Sequence, residues 1–175
     1  TRRSSDLVVS SPAISNGLLY IGSYDDKLYC IGEPVTTITL NLEQGYNIIS
    51  IPLEFQDNSP TTVFSDITGF YVVAEWGEAG YEAPTEIVPG KGYYLFCLQA
   101  QSIQLTGVET DSLQVNLAGG WSLIGGLNTV EQADTLLPDG YMLRTWDNNW
   151  VDSTTFAPCV GYWVYVPGLT QINFP

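Results

Sequence analysis

Leu42-Glu43-Gln44-Gly45-Tyr46-Asn47-Ile48-Ile49-Ser50 returns as Leu117-Ala118-Gly119-Gly120-Trp121-Ser122-Leu123-Ile124-Gly125, 75 residues further along the chain. Working outward, Tyr71 and Trp76 return as Tyr141 and Trp146 at an offset of 70. Pro89-Gly90-Lys91-Gly92-Tyr93 returns as Pro158-Cys159-Val160-Gly161-Tyr162 at an offset of 69. The falling offset gives the second copy shorter loops between matching elements. A duplication settles architecture before function: two like β-rich units sharing one core. The expected boundaries are 39–107 for the first repeat and 112–175 for the second.

Each copy reads the same way in detail. Ile38, Leu40 and Leu42 alternate with Thr and Asn, the period of a half-buried strand. Gly45 makes a turn, and residues 46–53 are apolar enough for a central strand. Ser59-Pro60 opens a short helix in the first copy, with Ser59 as N-cap and Pro60 at its first position. In the second copy Thr129 with Gln132 predicts a capping box ahead of Ala133, Leu136 and Leu137. A hairpin follows in each, turning through Gly77-Glu78-Ala79-Gly80 and through Asp147-Asn148-Asn149. Gly80 and Asn149 are the expected left-handed positions. The last strands, 93–98 with 102–105 and 162–166 with 171–174, are expected to pair. The fold class is therefore mainly β: two pseudo-symmetric repeats packed as a sandwich or distorted barrel, each with one short helix.

Composition agrees and removes several functions. Hydrophobic residues make up 45% of the 175, charged ones only 14%, and there are 11 Tyr, 5 Trp and 17 Gly, a turn-rich all-β profile. The net charge of −14 repels phosphate backbones and anionic lipid heads, so no nucleic-acid partner is expected. No apolar run approaches the ~20 residues that span a bilayer, and no membrane insertion is expected. The chain has no His, which removes Ser-His-Asp and Cys-His catalysis. Cys30, Cys97 and Cys159 have no metal-ligand spacing. The first residue, Thr1, suggests a fragment of a longer protein.

Residues 1–33 differ from the rest. A short β-rich run at 6–10 leads through Ser11-Pro12-Ala13-Ile14 to the turn Ser15-Asn16-Gly17. Strands at 18–23 and 27–31 are joined through Tyr24-Asp25-Asp26, and residues 34–38 read as a linker after which the duplicated domain, 39–175, begins. Ser11-Pro12-Ala13, Asn16-Gly17, Leu19-Tyr20-Ile21-Gly22-Ser23 and Asp25-Asp26-Lys27-Leu28-Tyr29 together resemble one blade of the quinoprotein-type (PQQ-like) β-propeller repeat. That family closes several blades into a ring. Here less than one blade is present, and the Trp that closes the family's docking motif is missing, since the first Trp is Trp76. The resemblance implies a blade-remnant hairpin that binds no quinone, and no cofactor is expected. Its apolar residues Leu18, Tyr20, Leu28, Tyr29 and Ile31 need cover, from the duplicated body or through self-association. The Gly-Tyr-Asn-Ile-Ile-Ser-Ile-Pro opening, the Trp hairpin and the Pro-Gly-Lys-Gly-Tyr strand look like modules of secreted archaeal and bacterial surface proteins. That likeness implies a non-catalytic attachment domain.

Candidate sites follow from the hairpins. Trp76 and Trp146 occupy equivalent places and are expected as core aromatics. Tyr81 and Trp150, just past the loops, are the preferred ligand-facing pair, with Asp147 and Asn149 as polar neighbours. The Asp147-Asn148-Asn149 loop with Asp152 lacks the carboxylate pattern of a calcium loop, so it reads as a turn and no metal is expected. Glu75, Glu78, Glu82 and Glu86 read as a solvated acidic face rather than a glycosidase pair. Antiparallel pairing of the strands at 93–98 and 162–166 would place Cys97 opposite Cys159 and permit a disulfide; the alternative is that both are small buried apolar residues. The functional expectation is a non-catalytic extracellular or cell-surface attachment module contacting a glycan or protein. The alternatives are the terminal region of a quinoprotein-like enzyme, or a structural stalk without a small ligand.

Overall fold

A computed structural model describes residues 11–15, 18–23, 25–77 and 79–175. The expectations for residues 6–10, the Asn16-Gly17 turn, Tyr24 and Glu78 lie outside the described residues. The chain divides into two units, Thr1–Thr36 and Thr37–Pro175. No helix among the described residues is long and apolar enough to cross a membrane.

The first unit is a three-stranded antiparallel sheet in sequence order, β1 (Ala13–Ser15), β2 (Leu18–Gly22) and β3 (Leu28–Ile31). A two-stranded hairpin was expected; residues 13–15 add a third strand because Ala13 and Ser15 pair with Tyr20 and Leu18. In the β2–β3 turn Asp26 takes a φ of 60°, as the Asp-Asp turn demands. Asp25 accepts the Tyr29 hydroxyl at 2.8 Å and the Lys27 N–H at 3.3 Å. The Tyr29 bond is the main reason its carboxyl sits below the usual range.

The second unit is mainly β, with several antiparallel sheets, none closed into a barrel. Strand β4 (Val35–Leu42) starts two residues ahead of this unit, inside the stretch expected as a linker. Val35, Thr36, Thr37 and Ile38 are all β-branched, so an extended conformation suits them. There follow β5 (Gly45–Ser50), β6 (Leu53–Glu54), α1 (Pro60–Val63), β7 (Tyr71–Gly77), β8 (Gly80–Glu82), β9 (Gly92–Cys97) and β10 (Gln101–Glu109). The rest comprises β11 (Leu113–Leu117), β12 (Gly120–Gly125), β13 (Glu131–Gln132), α2 (Ala133–Leu136), β14 (Met142–Trp146), β15 (Trp150–Asp152), β16 (Thr155–Phe156), β17 (Gly161–Val166) and β18 (Thr170–Phe174).

Two four-stranded sheets carry the architecture, with orders β5-β9-β7-β8 and β12-β17-β14-β15. Smaller sheets, β4-β10-β6 and β11-β18, supply the other wall of each core, and β13 pairs with β16. So β9 and β10 lie in different sheets, as do β17 and β18, rather than pairing as expected. Each chain segment crosses from one layer to the other between them. The strand β5 is also an edge strand, not a central one. Pro52 has no N–H to continue a ladder, and the chain switches sheets there to form β6.

Two cores result, where one shared core was expected. The inward residues Ile49, Tyr93, Leu95 and Cys97 pack against Leu40, Leu42, Ile103, Leu105, the helix residue Val63 and Phe64 just after it. In the second half Ile124, Tyr162, Val164 and Val166 pack against Leu117, Ile172 and Phe174. Each fully buried Leu, Ile or Phe of this set contributes roughly 1.5–3 kcal/mol by removal from water. The core tyrosines keep their hydroxyls satisfied: Tyr93 accepts the Val88 N–H at 2.9 Å, and Tyr162 accepts the Ala157 N–H at 3.0 Å. Burial pushes both phenols above their ordinary range.

Local chemistry explains the turns and helices. Gly45 and Gly120 take φ of 99° and 106°, which a side chain resists. Gly80 has the expected left-handed φ, but in the second hairpin the position falls on Asn148, not Asn149. Cys159 adopts φ 63° in the turn where the first half has Gly90 at 81°. Both helices are single turns. Pro60 opens α1, but the Ser59 side chain makes no cap bond to the backbone. Asp57 organises that turn instead, accepting the Ser59 N–H at 2.9 Å and the Thr62 hydroxyl at 2.8 Å. The capping box expected at Thr129 does not form. Thr129 donates to the Glu131 carboxylate, and Gln132 is drawn into the β13–β16 pair, so α2 begins at Ala133.

The halves meet along a narrow seam. Ser50 N–H donates to the Cys159 carbonyl at 3.2 Å, and Gly125 N–H donates to the Gly90 carbonyl at 3.1 Å. Bridges Ile49–Val160 and Lys91–Ile124 flank them. The register puts Ser50 opposite Gly92 and Gly125 opposite Gly161, so four small residues let the backbones approach.

Candidate functional site: an aromatic cleft

The site begins with two adjacent aromatics in each central strand. Strand β9 reads Gly-Tyr-Tyr-Leu-Phe-Cys and β17 reads Gly-Tyr-Trp-Val-Tyr-Val. Side chains alternate across a sheet, so when Tyr93 and Tyr162 enter the cores, Tyr94 and Trp163 must point outward, followed by Phe96 and Tyr165. The neighbouring strands add to that outward face. Tyr46 pairs with Phe96, Ala74 with Tyr94, and Trp76 with Tyr81. Trp121 pairs with Tyr165, Arg144 with Trp163, and Trp146 with Trp150.

The two outward faces meet. Trp163 Nε1–H donates to the Tyr94 hydroxyl at 2.8 Å. Trp76 stands edge-on to Trp163 and to Tyr81, each with ring centroids 5.1 Å apart. Tyr81 meets Tyr94 at 5.0 Å and 90°, Trp121 meets Trp163 at 6.4 Å, and Trp146 meets Trp150 at 5.4 Å. Edge-to-face pairs of this kind add about 0.5–1.5 kcal/mol each beyond area burial, so the array is held in place without a ligand. Burial, then hydrogen bonding to Tyr81, pushes the Tyr94 phenol up, and it stays neutral across the physiological range.

The rings border two adjoining hollows. One, of about 380 Å³, is lined by Trp76, Tyr81, Tyr94, Trp121, Arg144, Trp150 and Trp163. The other, of about 430 Å³, is lined by Tyr46, Ala74, Tyr81, Tyr94, Trp146 and Trp150. Both volumes fall in the range of small-molecule sites, roughly 300–1,000 Å³. All five Trp line one hollow or the other. Arg144 is the charged group at the rim; its Nε donates to the Asp152 carboxylate at 2.7 Å. An exposed pair like this is worth only about 0–1 kcal/mol, so its effect is to fix the guanidinium plane rather than to stabilise the fold.

Of the residues singled out from sequence, Tyr81 and Trp150 line both hollows, exposed at 59% and 44%. Asp147 and Asn149 line neither. They close the hairpin tip, where Asp147 N–H donates to the Asn149 carbonyl and the Asn149 side chain accepts the Trp150 N–H. Among the described residues no cluster of three His, Cys, Asp or Glu side chains could hold a metal. Trp76 and Trp146, expected in the core, are instead on the outward face with Tyr81 and Trp150, and Trp76 is 45% exposed. Sequence reasoning missed Tyr94, Trp121, Arg144 and Trp163. The doublets Tyr93-Tyr94 and Tyr162-Trp163 were the available signal, since one ring of each must leave the core. Glu75 is the cross-strand partner of Glu82, lies on the face opposite Trp76 and Tyr81, and pairs with Lys91 at 2.7 Å.

The cysteines correct another expectation. Cys97 and Cys159 are free thiols, as is Cys30. The bridge required β9 to pair with β17, yet each is already hydrogen-bonded on both edges, β9 to β5 and β7 and β17 to β12 and β14. The Cys97 thiol donates to the Glu43 carbonyl at 3.0 Å, and burial pushes both thiols up. Comparison of the chain with protein-family models, with curated proteins and with solved structures finds no match.

Proposed function

We propose that this chain is a non-catalytic extracellular or cell-surface attachment module that contacts glycans through the aromatic cleft. It is built as two pseudo-symmetric β sandwiches from a duplicated unit. The cleft is the observation that carries the reading: flat, exposed rings bordered by one oriented guanidinium–carboxylate pair suit the apolar faces and hydroxyl edges of pyranoses. The burial patterns support the duplication, since β5 matches β12 and β9 matches β17 position by position. Binding without chemistry fits a site whose one carboxylate at the rim, Asp152, is engaged by Arg144, and whose hollows are lined, among the described residues, by no second carboxylate, thiol or aliphatic amine. The acidic surface fits an extracellular setting and disfavours polyanionic partners.

A glycan array probed with the whole chain tests the proposal. Neutral glycans should be retained, and the Tyr81→Ala/Trp150→Ala double variant should lose them while keeping its far-ultraviolet circular dichroism. Retention of no glycan, or equal retention by the double variant, overturns it.

A further inference from the structure

The two hollows are copies of each other. By the repeat offsets, Tyr46 corresponds to Trp121, Ala74 to Arg144, Tyr81 to Trp150, Tyr94 to Trp163, and Trp76 to Trp146. Replacing each residue lining the larger hollow by its counterpart gives Trp121, Arg144, Trp150, Trp163, Tyr81 and Trp76. All six line the smaller hollow, which adds only Tyr94. Each hollow therefore draws on both halves, and Tyr81, Tyr94 and Trp150 border both.

We propose that the hollows are two matched subsites that hold successive units of one neutral oligosaccharide chain, a step that rests on the glycan reading above. A repeated polymer presents the same apolar face more than once, and matched platforms with shared walls suit that periodicity. Arg144 stands where the other subsite has Ala74, so one subsite carries a charged grip on hydroxyls and the other has only phenol hydroxyls and indole N–H groups among its rings. That difference gives the bound chain a direction. Charge selects the ligand class. Asp152 neutralises Arg144 locally, and a net charge of −14 opposes sulfated or uronic chains. A proline-rich peptide is the other chain with a short repeat that docks in aromatic-lined grooves, and it is a separate arm of the test.

The test titrates the whole chain with mono-, di- and tetrasaccharides of glucose, mannose, galactose and N-acetylglucosamine, followed by tryptophan fluorescence and calorimetry. For the sugar that binds, the tetrasaccharide should bind about tenfold or more tighter than its monosaccharide, because the second subsite is filled at high effective concentration. Tyr46→Ala removes a wall of one subsite only, and Trp121→Ala a wall of the other only. Both side chains are exposed, at 63% and 43%, so neither substitution opens a core. Each variant should abolish the chain-length gain. Equal affinity for mono- and tetrasaccharide, or a gain that survives either variant, overturns the two-subsite inference alone. Binding of none of these sugars, or saturable binding of decaproline in their place, overturns the glycan reading with it.

Discussion

Gly161→Ala tests the seam that brings the halves together. A Cβ at this position would lie 2.6 Å from the Ile49 carbonyl oxygen, 2.7 Å from Ile48 Cγ2 and 3.1 Å from the Ile49 carbonyl carbon. The first is backbone of an edge strand bridged across the seam by Ile49 to Val160, and it has no rotamer by which to move away. Gly161 does not have a left-handed φ, so alanine itself is not strained there. Reduced freedom of the unfolded chain would favour alanine by about 0.4–1 kcal/mol. Overpacking opposes it by about 1–3 kcal/mol. The net expectation is a loss of about 1–2 kcal/mol, which lowers Tm by roughly 2–8 °C for a domain of this size. Gly168→Ala is the control, since a Cβ there meets nothing within 4 Å. Thermal melts of both variants followed by circular dichroism decide the matter. A Gly161→Ala protein that melts at or above the parent would refute the close approach of the halves.

Two further outcomes are expected. Tyr93 and Tyr162 are protonated in folded and unfolded chains alike below about pH 10, so their burial leaves stability unchanged there. Above that, the unfolded chain loses protons that the folded chain retains. Stability should then fall by up to about 1.4 kcal/mol per pH unit for each tyrosine, and their phenolate absorbance should appear together with loss of the β signal. Ionisation of all tyrosines with the fold intact would contradict their burial. Thiol counting should give three free thiols in the denatured, unreduced chain. In the native chain Cys30, which is exposed, should react first, with Cys97 and Cys159 slowed by burial. A single thiol after denaturation would restore the Cys97–Cys159 bridge.

Much of the fold was legible because its signals are local. The period of Ile38, Leu40 and Leu42, the turn glycines Gly45 and Gly80, and Pro60 at the start of a helix all act within a few residues. Sheet membership was not legible, because it depends on which edges are already filled. The strand at residues 92–97 looks equally able to pair with residues 101–109, 161–166 or 45–50. Only the assembled sheet shows that Gly45–Ser50 and Tyr71–Gly77 occupy its two edges. The disulfide expectation failed on that point alone. The site was half legible for a related reason. Tyr81 and Trp150 follow hairpin turns, which mark exposure locally, whereas Trp121 and Trp163 owe their outward position to the face that their strand neighbours bury.

The seam and the cleft are one construction. Trp163 and Tyr94 each lie three residues beyond a bridge residue, Val160 and Lys91, so the hydrogen bond between their side chains forms only when the halves are in register. Small residues at Ser50, Gly92, Gly125 and Gly161 allow the backbones close enough for that register. The buried Ser50 hydroxyl at the seam has no hydrogen-bond partner among the described residues. Ordering of the rings is therefore completed during folding rather than on ligand binding. A ligand entering such a preorganised array loses little affinity to side-chain ordering. Under the glycan proposal, substitutions at the seam should then weaken binding without touching any ring.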